Sequence, residues 1–372
     1  MLPLIKAFIL RLINRKTYTH ASLKTYLDKQ EGSNRIIKKY NEAHRYEYSG
    51  PESLEGQQQH FLPSQVQVGT FERYLAVLHN ASLHTQEGYV QLSDNYFIVE
   101  TTWSKAEIDP YRNKLFKLAV EYKKGNWFSS LLYWNSGYYH WVCDVLPRFY
   151  QVLTDLPADV QIIIPANATP WQVRSLELIG IARNRMVEFP LNKIWKLEHL
   201  YFAPPTAMSG DHMHEAVEWT CKTILNKLNV SDVDTGNKRI YISRGKAARR
   251  RIVNEDRLIE YLRKYDFQII NNESLNFDQQ VILFHNASHI IAPHGAGLSN
   301  MLFSKAGSSV LEIFEKSTLR RCYWTLANAK NINYTCYIGN TVDINVPGEA
   351  DIEIDMDFFE THFEAWLNKT MH

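Results

Sequence analysis

Alternating apolar and polar segments divide most of the chain into strand-sized and helix-sized pieces. The pattern is most regular in the C-terminal half. Short β-branched or aromatic runs at 239–243, 267–270, 289–292, 310–314 and 334–338 predict strands. Helical periodicity at 255–265, 277–286, 296–303 and 319–330 fills the gaps between them. Strands alternating with helices give a parallel sheet with right-handed crossovers, a Rossmann-like domain. In the preceding half, strands are predicted at 96–101, 127–134, 160–164 and 197–202, with helices at 138–153, 170–179 and 212–228. Pro147 should kink or break the first of these helices. Residues 20–60 are polar and charged, and predict helix and loop. Phe359, Phe363, Trp366 and Leu367 mark an amphipathic last helix suited to packing across the seam between the halves. The expected division is an extension over 1–60, an α/β domain over 61–232, a Rossmann-like domain over 233–345 and a crossing helix over 346–372. Residues 229–237 have linker composition.

Composition narrows the class. A chain of 372 residues exceeds one typical core, so two domains are expected. A net charge of +1 argues against a nucleic-acid partner. The 9 Trp and 21 Tyr suit apolar cores and sugar-binding surfaces alike. Cys143, Cys221, Cys322 and Cys336 show no Cys-x-x-Cys spacing, which fits a reducing compartment. Asn286-Ala287-Ser288 and similar triplets then read as chance. Residues 1–16 are apolar but carry Lys6 and Arg11, too short and too charged to span a bilayer, and they lack a clear cleavage site. As a helix they suit either an anionic membrane surface or docking on the body or on a partner chain. A cytoplasmic protein, peripheral at the inner face of the membrane through this segment, is the expectation.

Three segments carry candidate chemistry. His285 to Asn300 reads as a buried strand, a turn with Gly295 and Gly297, and a helix beginning near Ala296. Glycines lacking Cβ let a ligand approach, and a helix N-terminus suits an anion, typically a phosphate. A tight turn with nothing bound is the alternative. Tyr241 to Arg251 (YISRGKAARRR) follows a strand and precedes a helix on the same sheet edge. Its arginines match phosphate oxygens in a bidentate way, whereas a solvated basic loop would look the same. Asn135 to Arg148 places His140 and Asp144 four apart, on one helix face. A carboxylate beside an imidazole suits general-base work. Spacing alone equally accommodates a helix-stabilising contact or a satisfied core histidine. Asp232-Val233-Asp234 and Asp355-Met356-Asp357 follow no core strand and read as loop or N-cap carboxylates. No zinc spacing, phosphate-binding P-loop or Gly-x-Gly-x-x-Gly occurs, so no metal site and no dinucleotide cofactor is expected.

The order Tyr139-His140-Trp141, Asp144-Val145-Leu146-Pro147-Arg148, then Tyr241 to Arg244 with Arg249-Arg250 and Asn254-Glu255, then Pro293 to Asn300, then Val310 to Ile313 resembles glycosyltransferase family 61. Bacterial members of that family resemble capsular polysaccharide biosynthesis proteins. Eukaryotic relatives include O-linked N-acetylglucosamine transferases and plant xylosyltransferases. The resemblance implies a GT-B architecture, two Rossmann-like domains facing across a cleft, and inverting transfer from a nucleotide sugar, UDP-linked, without an obligatory metal or other cofactor. On that reading Arg244, Arg249 and Arg250, with the turn His294, Gly295, Ala296 and Gly297, neutralise the leaving diphosphate. Asn300 and Glu312 orient the nucleotide or brace the loop. Asp144, or His140 assisted by Asp144, deprotonates the acceptor hydroxyl, and Asn135, Tyr139 and Trp141 lie on the acceptor side. The implied partners are a nucleotide sugar and a glycan or lipid-linked glycan of the capsular or lipopolysaccharide type. A non-catalytic nucleotide-sugar or polysaccharide-binding module of the same fold is the alternative.

Overall fold

The computed structural model describes residues 19–28, 32–54, 65–92, 96–102, 118–230, 238–316, 319–342 and 349–370. Strands of the first half, in chain order, are β1 (Thr19–Ala21), β2 (Arg35–Asn41), β3 (Arg45–Ser49), β4 (Glu52–Ser53), β5 (Gln65–Gly69), β6 (Arg73–His84), β7 (Tyr89–Gln91), β8 (Tyr96–Ile98), β9 (Ala119–Ser129), β10 (Gln161–Ile164), β11 (Met186–Glu188) and β12 (Lys193–Phe202). The second half holds β13 (Lys238–Ile242), β14 (Phe267–Ile270), β15 (Ala287–Pro293), β16 (Ser309–Glu315), β17 (Asn333–Val342) and β18 (Asp351–Glu353). The helices used below are α1 (Leu23–Leu27), α2 (Pro170–Leu178), α3 (His214–Lys227), α4 (Glu255–Arg263), α5 (Phe277–His285), α6 (Cys322–Lys330) and α7 (Met356–Lys369).

The first sheet is mixed, in the order β1-β8-β7-β6-β12-β9-β10-β11, with β2 beside β6. Strands β12, β9, β10 and β11 run parallel, and β6 turns the sheet antiparallel at β12. The second sheet is parallel through β14-β13-β15-β16-β17, and β18 pairs antiparallel at its end. Numbered by appearance, those five strands lie in the order 2-1-3-4-5. In such a doubly wound sheet the crevice opens beyond the carboxyl ends of the two strands flanking the reversal, here β13 and β15.

Side-chain alternation explains how the second sheet is covered. Ile240, Ile242, Ile290, Ala292, Val310 and Phe314 join one core cluster, which continues through Leu298 and Phe303 to Trp141, Val142, Val145 and Leu146 of the first half. Tyr241, Ile291, Leu311 and Ile313 point the other way, into a cluster with α4 and α7. The last helix therefore does not cross the seam. Its Phe359, Phe363, Trp366 and Leu367 cover the outer face of the second sheet. The seam is filled instead by one apolar core shared between the halves.

Residues 19–54, expected as helix and loop, supply strands to both sheets, since β2 pairs with β6 and β4 with β17. Their charges sit on an exposed edge, where period-two alternation such as Tyr46 and Tyr48 in β3 is diluted by polar residues. The strand expected at 127–134 ends at Ser129, and the chain turns before Trp134, which has a positive φ of 59°. Asp355 caps α7 by accepting the Phe358 N–H at 3.1 Å, as its N-cap reading requires. Residues 1–16 and the Asp232–Asp234 triplet lie outside the described residues.

Candidate active site

Of the helix expected at 138–153, residues 138–149 are helical, and the register changes twice along them. Tyr138–His140 is α-helical, Trp141–Val145 is a π-turn and Leu146–Phe149 is 3-10. The Leu146 N–H reaches back to the Trp141 carbonyl, five residues away. Pro147 has no N–H to continue the ladder, which helps end the regular helix here. The widened turn holds Asp144 against its neighbours. Its Oδ2 lies 2.8 Å from His140 Nδ1 and accepts the Ser209 hydroxyl at 2.6 Å. Ser209 Oγ is also 3.1 Å from His140 Nδ1. Ser209 stands in the loop after β12, and no local pattern links it to Asp144. Asp144 and Ser209 line a cavity of about 400 Å³ in the first half, together with Trp134 and Met208.

The residues expected on the acceptor side have other work. Trp141 is fully buried and donates its indole N–H to Ser175 Oγ at 2.8 Å, so it is a core residue. Asn135 is buried too, donating to the Leu132 carbonyl at 2.6 Å and accepting from Gln172 at 3.0 Å. Tyr139 sits in the seam, its ring 5.1 Å from His140 and 5.6 Å from Tyr323 of α6. Arg148 is buried and donates to the Leu131 and Ala203 carbonyls at 3.3 and 3.1 Å. Burial holds its guanidinium down to about 9, still charged at neutral pH.

On the second half, the loops after β13 and β15 enclose a cavity of about 430 Å³ at the switch point. Arg244 and Lys246 come from the first loop, and Gly295, Ala296 and Gly297 from the second. Asn272 lines the same cavity, and Tyr138 and Trp171 reach it from the first half. Ala296–Phe303 is a 3-10 rather than an α-helix. The glycines serve neighbouring side chains. A Cβ on Gly295 would stand 2.1 Å from Arg244 Nη1, and one on Gly297 would stand 2.7 Å from Asn272 Nδ2. Gly295 has φ 173°, ordinary extended backbone, so close approach alone explains the residue.

Arg244 donates from Nη2 to the Arg249 carbonyl at 3.1 Å, while its buried Nε has no partner. Arg250 Nε is likewise buried and unpartnered. Burial holds both guanidiniums below their usual range, and the charges of Arg244 and Arg249 add to the effect at Arg250. Arg249 is half-exposed and its side chain pairs with Glu349, so it positions Arg244 through its carbonyl. Asn272 Oδ1 is another buried, unpartnered atom at this cavity. Asn272 was not among the sequence candidates, and Lys246 lay within the candidate segment Tyr241 to Arg251 without being singled out. Asn272 lies beyond β14, with no motif around it.

His294 is a buttress. Its Nδ1 lies 2.5 Å from Glu312 Oε1, its backbone N–H bonds the Ile313 carbonyl at 2.8 Å, and its ring stacks on Phe314. Glu312 is fully buried and also accepts the Tyr334 hydroxyl at 2.5 Å. Asn300 is fully buried between Tyr138, whose hydroxyl it accepts at 2.6 Å, and Gln280, to which it donates at 2.8 Å. Both residues brace the turn and the seam. A chain of rings, His140 to Tyr139 to Tyr323 to His294, joins the Asp144 centre to the switch-point turn.

Fold and site thus define an α/β protein with a crevice lined by Arg244 and Lys246 on one half and a hydrogen-bonded carboxylate on the other. Residues 138–311 match the family model described as Glycosyltransferase 61. That segment takes in Asp144, the arginine loop and the glycine turn. Among curated proteins the chain is similar to the EGF domain-specific O-linked N-acetylglucosamine transferase of Drosophila melanogaster, 33% identical over 97 residues, 25% of this chain and 18% of the relative. The Mus musculus protein of that name is 29% identical over 118 residues, 30% of this chain and 22% of the relative. The Gallus gallus protein is 27% identical over 142 residues, 36% of this chain and 26% of the relative. The chain thus matches between 18% and 26% of the length of these relatives. The family match and the relatives' names agree in likening this chain to glycosyltransferases.

Proposed function

We propose that this protein is an inverting, metal-independent glycosyltransferase of GT-B type that moves a sugar from a nucleoside diphosphate, UDP, to a hydroxyl of a surface glycan. The observation that carries the donor half is Arg244. It is a largely buried guanidinium with an unpartnered Nε at the switch-point crevice, and none of the described carboxylates forms an ion pair with it. A cation held out of water in this way favours an anionic ligand. Lys246 adds a second charge at the same cavity. Asn272 offers a free acceptor oxygen for the N–H or O–H groups of a nucleoside.

In the reaction, the acceptor hydroxyl gives its proton to the Asp144 carboxylate as its oxygen bonds to the anomeric carbon. The bond from that carbon to the diphosphate oxygen breaks, and its electron pair leaves with the nucleoside diphosphate. Arg244, with Arg250 behind it, stabilises the charge that develops there. His140 and Ser209 hold Asp144 in position. A capsular or lipopolysaccharide-type acceptor, and a cytoplasmic site at the membrane with residues 1–16 on its surface, belong to the same reading. Calorimetry with UDP and a panel of UDP-sugars tests it. Binding to the wild type that Arg244→Ala abolishes, with sugar release that Asp144→Asn abolishes and EDTA does not, is the expected result. No binding of any nucleoside diphosphate would sink it. Binding without turnover would leave a nucleotide-sugar-binding module.

A further inference from the structure

The cavity beside Asp144 sets a few polar groups in a largely apolar lining. Asp144 and Ser209 are among the polar groups, while Phe71, Val99, Pro205 and Met208 are apolar. Other polar residues along its wall have their hydrogen bonds satisfied within the protein. Glu100 accepts the Leu23 N–H at 3.0 and 3.1 Å. Thr101 Oγ1 accepts the Val90 N–H at 3.1 Å and donates to the Ile98 carbonyl at 2.8 Å. Thr102 Oγ1 donates to the Val99 carbonyl at 3.2 Å. By contrast, both hydrogen bonds described for Asp144 fall on Oδ2, which leaves Oδ1 for a ligand.

Trp134 gives this cavity a platform. It is 41% exposed, and its backbone lies in the left-handed region, which a bulky side chain rarely adopts. Its ring is wedged 4.1 Å from Tyr133 and 4.9 Å from His140. A large aromatic held in a strained conformation beside a candidate base points to a ligand surface rather than to packing. Met208, which also lines the cavity, is 45% exposed and adaptable in shape. A volume of about 400 Å³ falls in the range of small-molecule sites and exceeds what one sugar ring fills.

We infer that this cavity is the acceptor subsite and that it takes a sugar bearing an apolar alkyl or aryl aglycone. The sugar ring lies on Trp134 with its reacting hydroxyl at Asp144, and the aglycone packs on apolar lining residues such as Phe71, Val99 and Met208. The inference rests on the transferase reading but is tested apart from it. Paired p-nitrophenyl and methyl glycosides of common hexoses and pentoses are titrated into the full chain by calorimetry, with UDP titrated in parallel. At least one p-nitrophenyl glycoside should bind ten-fold or more tighter than its methyl counterpart. Trp134→Ala and Met208→Asp should each remove that preference while UDP affinity stays within two-fold. Met208 is surface-accessible, so its variant keeps the test open if Trp134→Ala fails to fold. Equal affinity for both glycosides of every pair, or a preference that survives in a folded variant, would overturn the inference. Loss of UDP binding in the wild type would strike the donor reading instead, and leaves the glycoside titration to be read by itself.

Discussion

Arg244 lies across the Cα of Gly295, so close that a methyl group added there would stand 2.1 Å from its Nη1. The backbone at Gly295 is extended, and alanine adopts it without strain. Gly295→Ala should therefore leave the fold intact and push the Arg244 guanidinium out of the crevice. We expect UDP affinity to fall by at least about ten-fold, comparable to losing one charge-assisted contact of about 1.5–3 kcal/mol. The melting temperature should move by only a few degrees. Calorimetry with UDP beside a thermal melt checks both, and unchanged affinity would remove Arg244 from the donor site.

Ser209 should act on the rate through Asp144. Its hydroxyl donates to Asp144 Oδ2 at 2.6 Å and fixes that carboxylate beside His140. Ser209→Ala removes the donor, and kcat should fall by about ten-fold with UDP affinity unchanged, as lost positioning requires. Asp144→Asn should lower the rate by about 10²–10⁴-fold, again with donor binding retained. A Ser209→Ala kcat equal to that of the wild type would separate Ser209 from the positioning role.

Glu312 is a keystone of the second half, and its removal should register as stability. It is fully buried between His294 and Tyr334, which bind its two oxygens. Glu312→Ala leaves both partners without an acceptor in the core and opens a void. A loss of about 3 kcal/mol or more in urea unfolding is expected. Glu312→Gln keeps the shape, and should cost less. If Glu312→Ala unfolds like the wild type while UDP affinity collapses, Glu312 contacts the ligand instead.

The sequence reveals the second half almost strand for strand, because its buried parallel strands are short β-branched runs with helices between them. The arginine loop and the glycine turn were legible for the same reason, since both follow such strands. What was not legible depends on chain-distant contacts. Ser209 meets Asp144 from a loop 65 residues away, and Asn272 reaches Gly297 across 25. The Asn135-to-Arg148 segment shows the limit differently. Its polar and aromatic residues look alike in sequence, yet the changes of register bury Trp141 and leave Asp144 at a cavity. Trp134, next to Asn135, carries the exposed aromatic surface instead. In β2 and β3, edge exposure erased the strand signal altogether.

The seam itself should be acid-sensitive through His212. This residue is buried in the loop before α3, and its Nε2 lies 3.1 Å from the Cys322 carbonyl, to which the neutral ring donates. Burial lowers its pKa to about 4, an effect that the nearby Asp144 carboxylate only partly offsets. In the unfolded chain a histidine titrates near 6.5. Between those two values the unfolded state holds a proton that the folded state does not, so stability falls as pH drops from about 6.5 to about 4 and levels off below. From pH 7 to pH 5 the share of His212 comes to about 2 kcal/mol. His84 is also buried with its pKa lowered to about 4, and it contributes in the same direction. Urea titrations of the wild type and His212→Asn at pH 7 and pH 5 read the effect. The variant should be less stable at pH 7, for the lost contact with Cys322, yet lose less on acidification than the wild type. An equal loss in both proteins would mean that His212 is already protonated in the folded state, or that the seam opens before the chain unfolds.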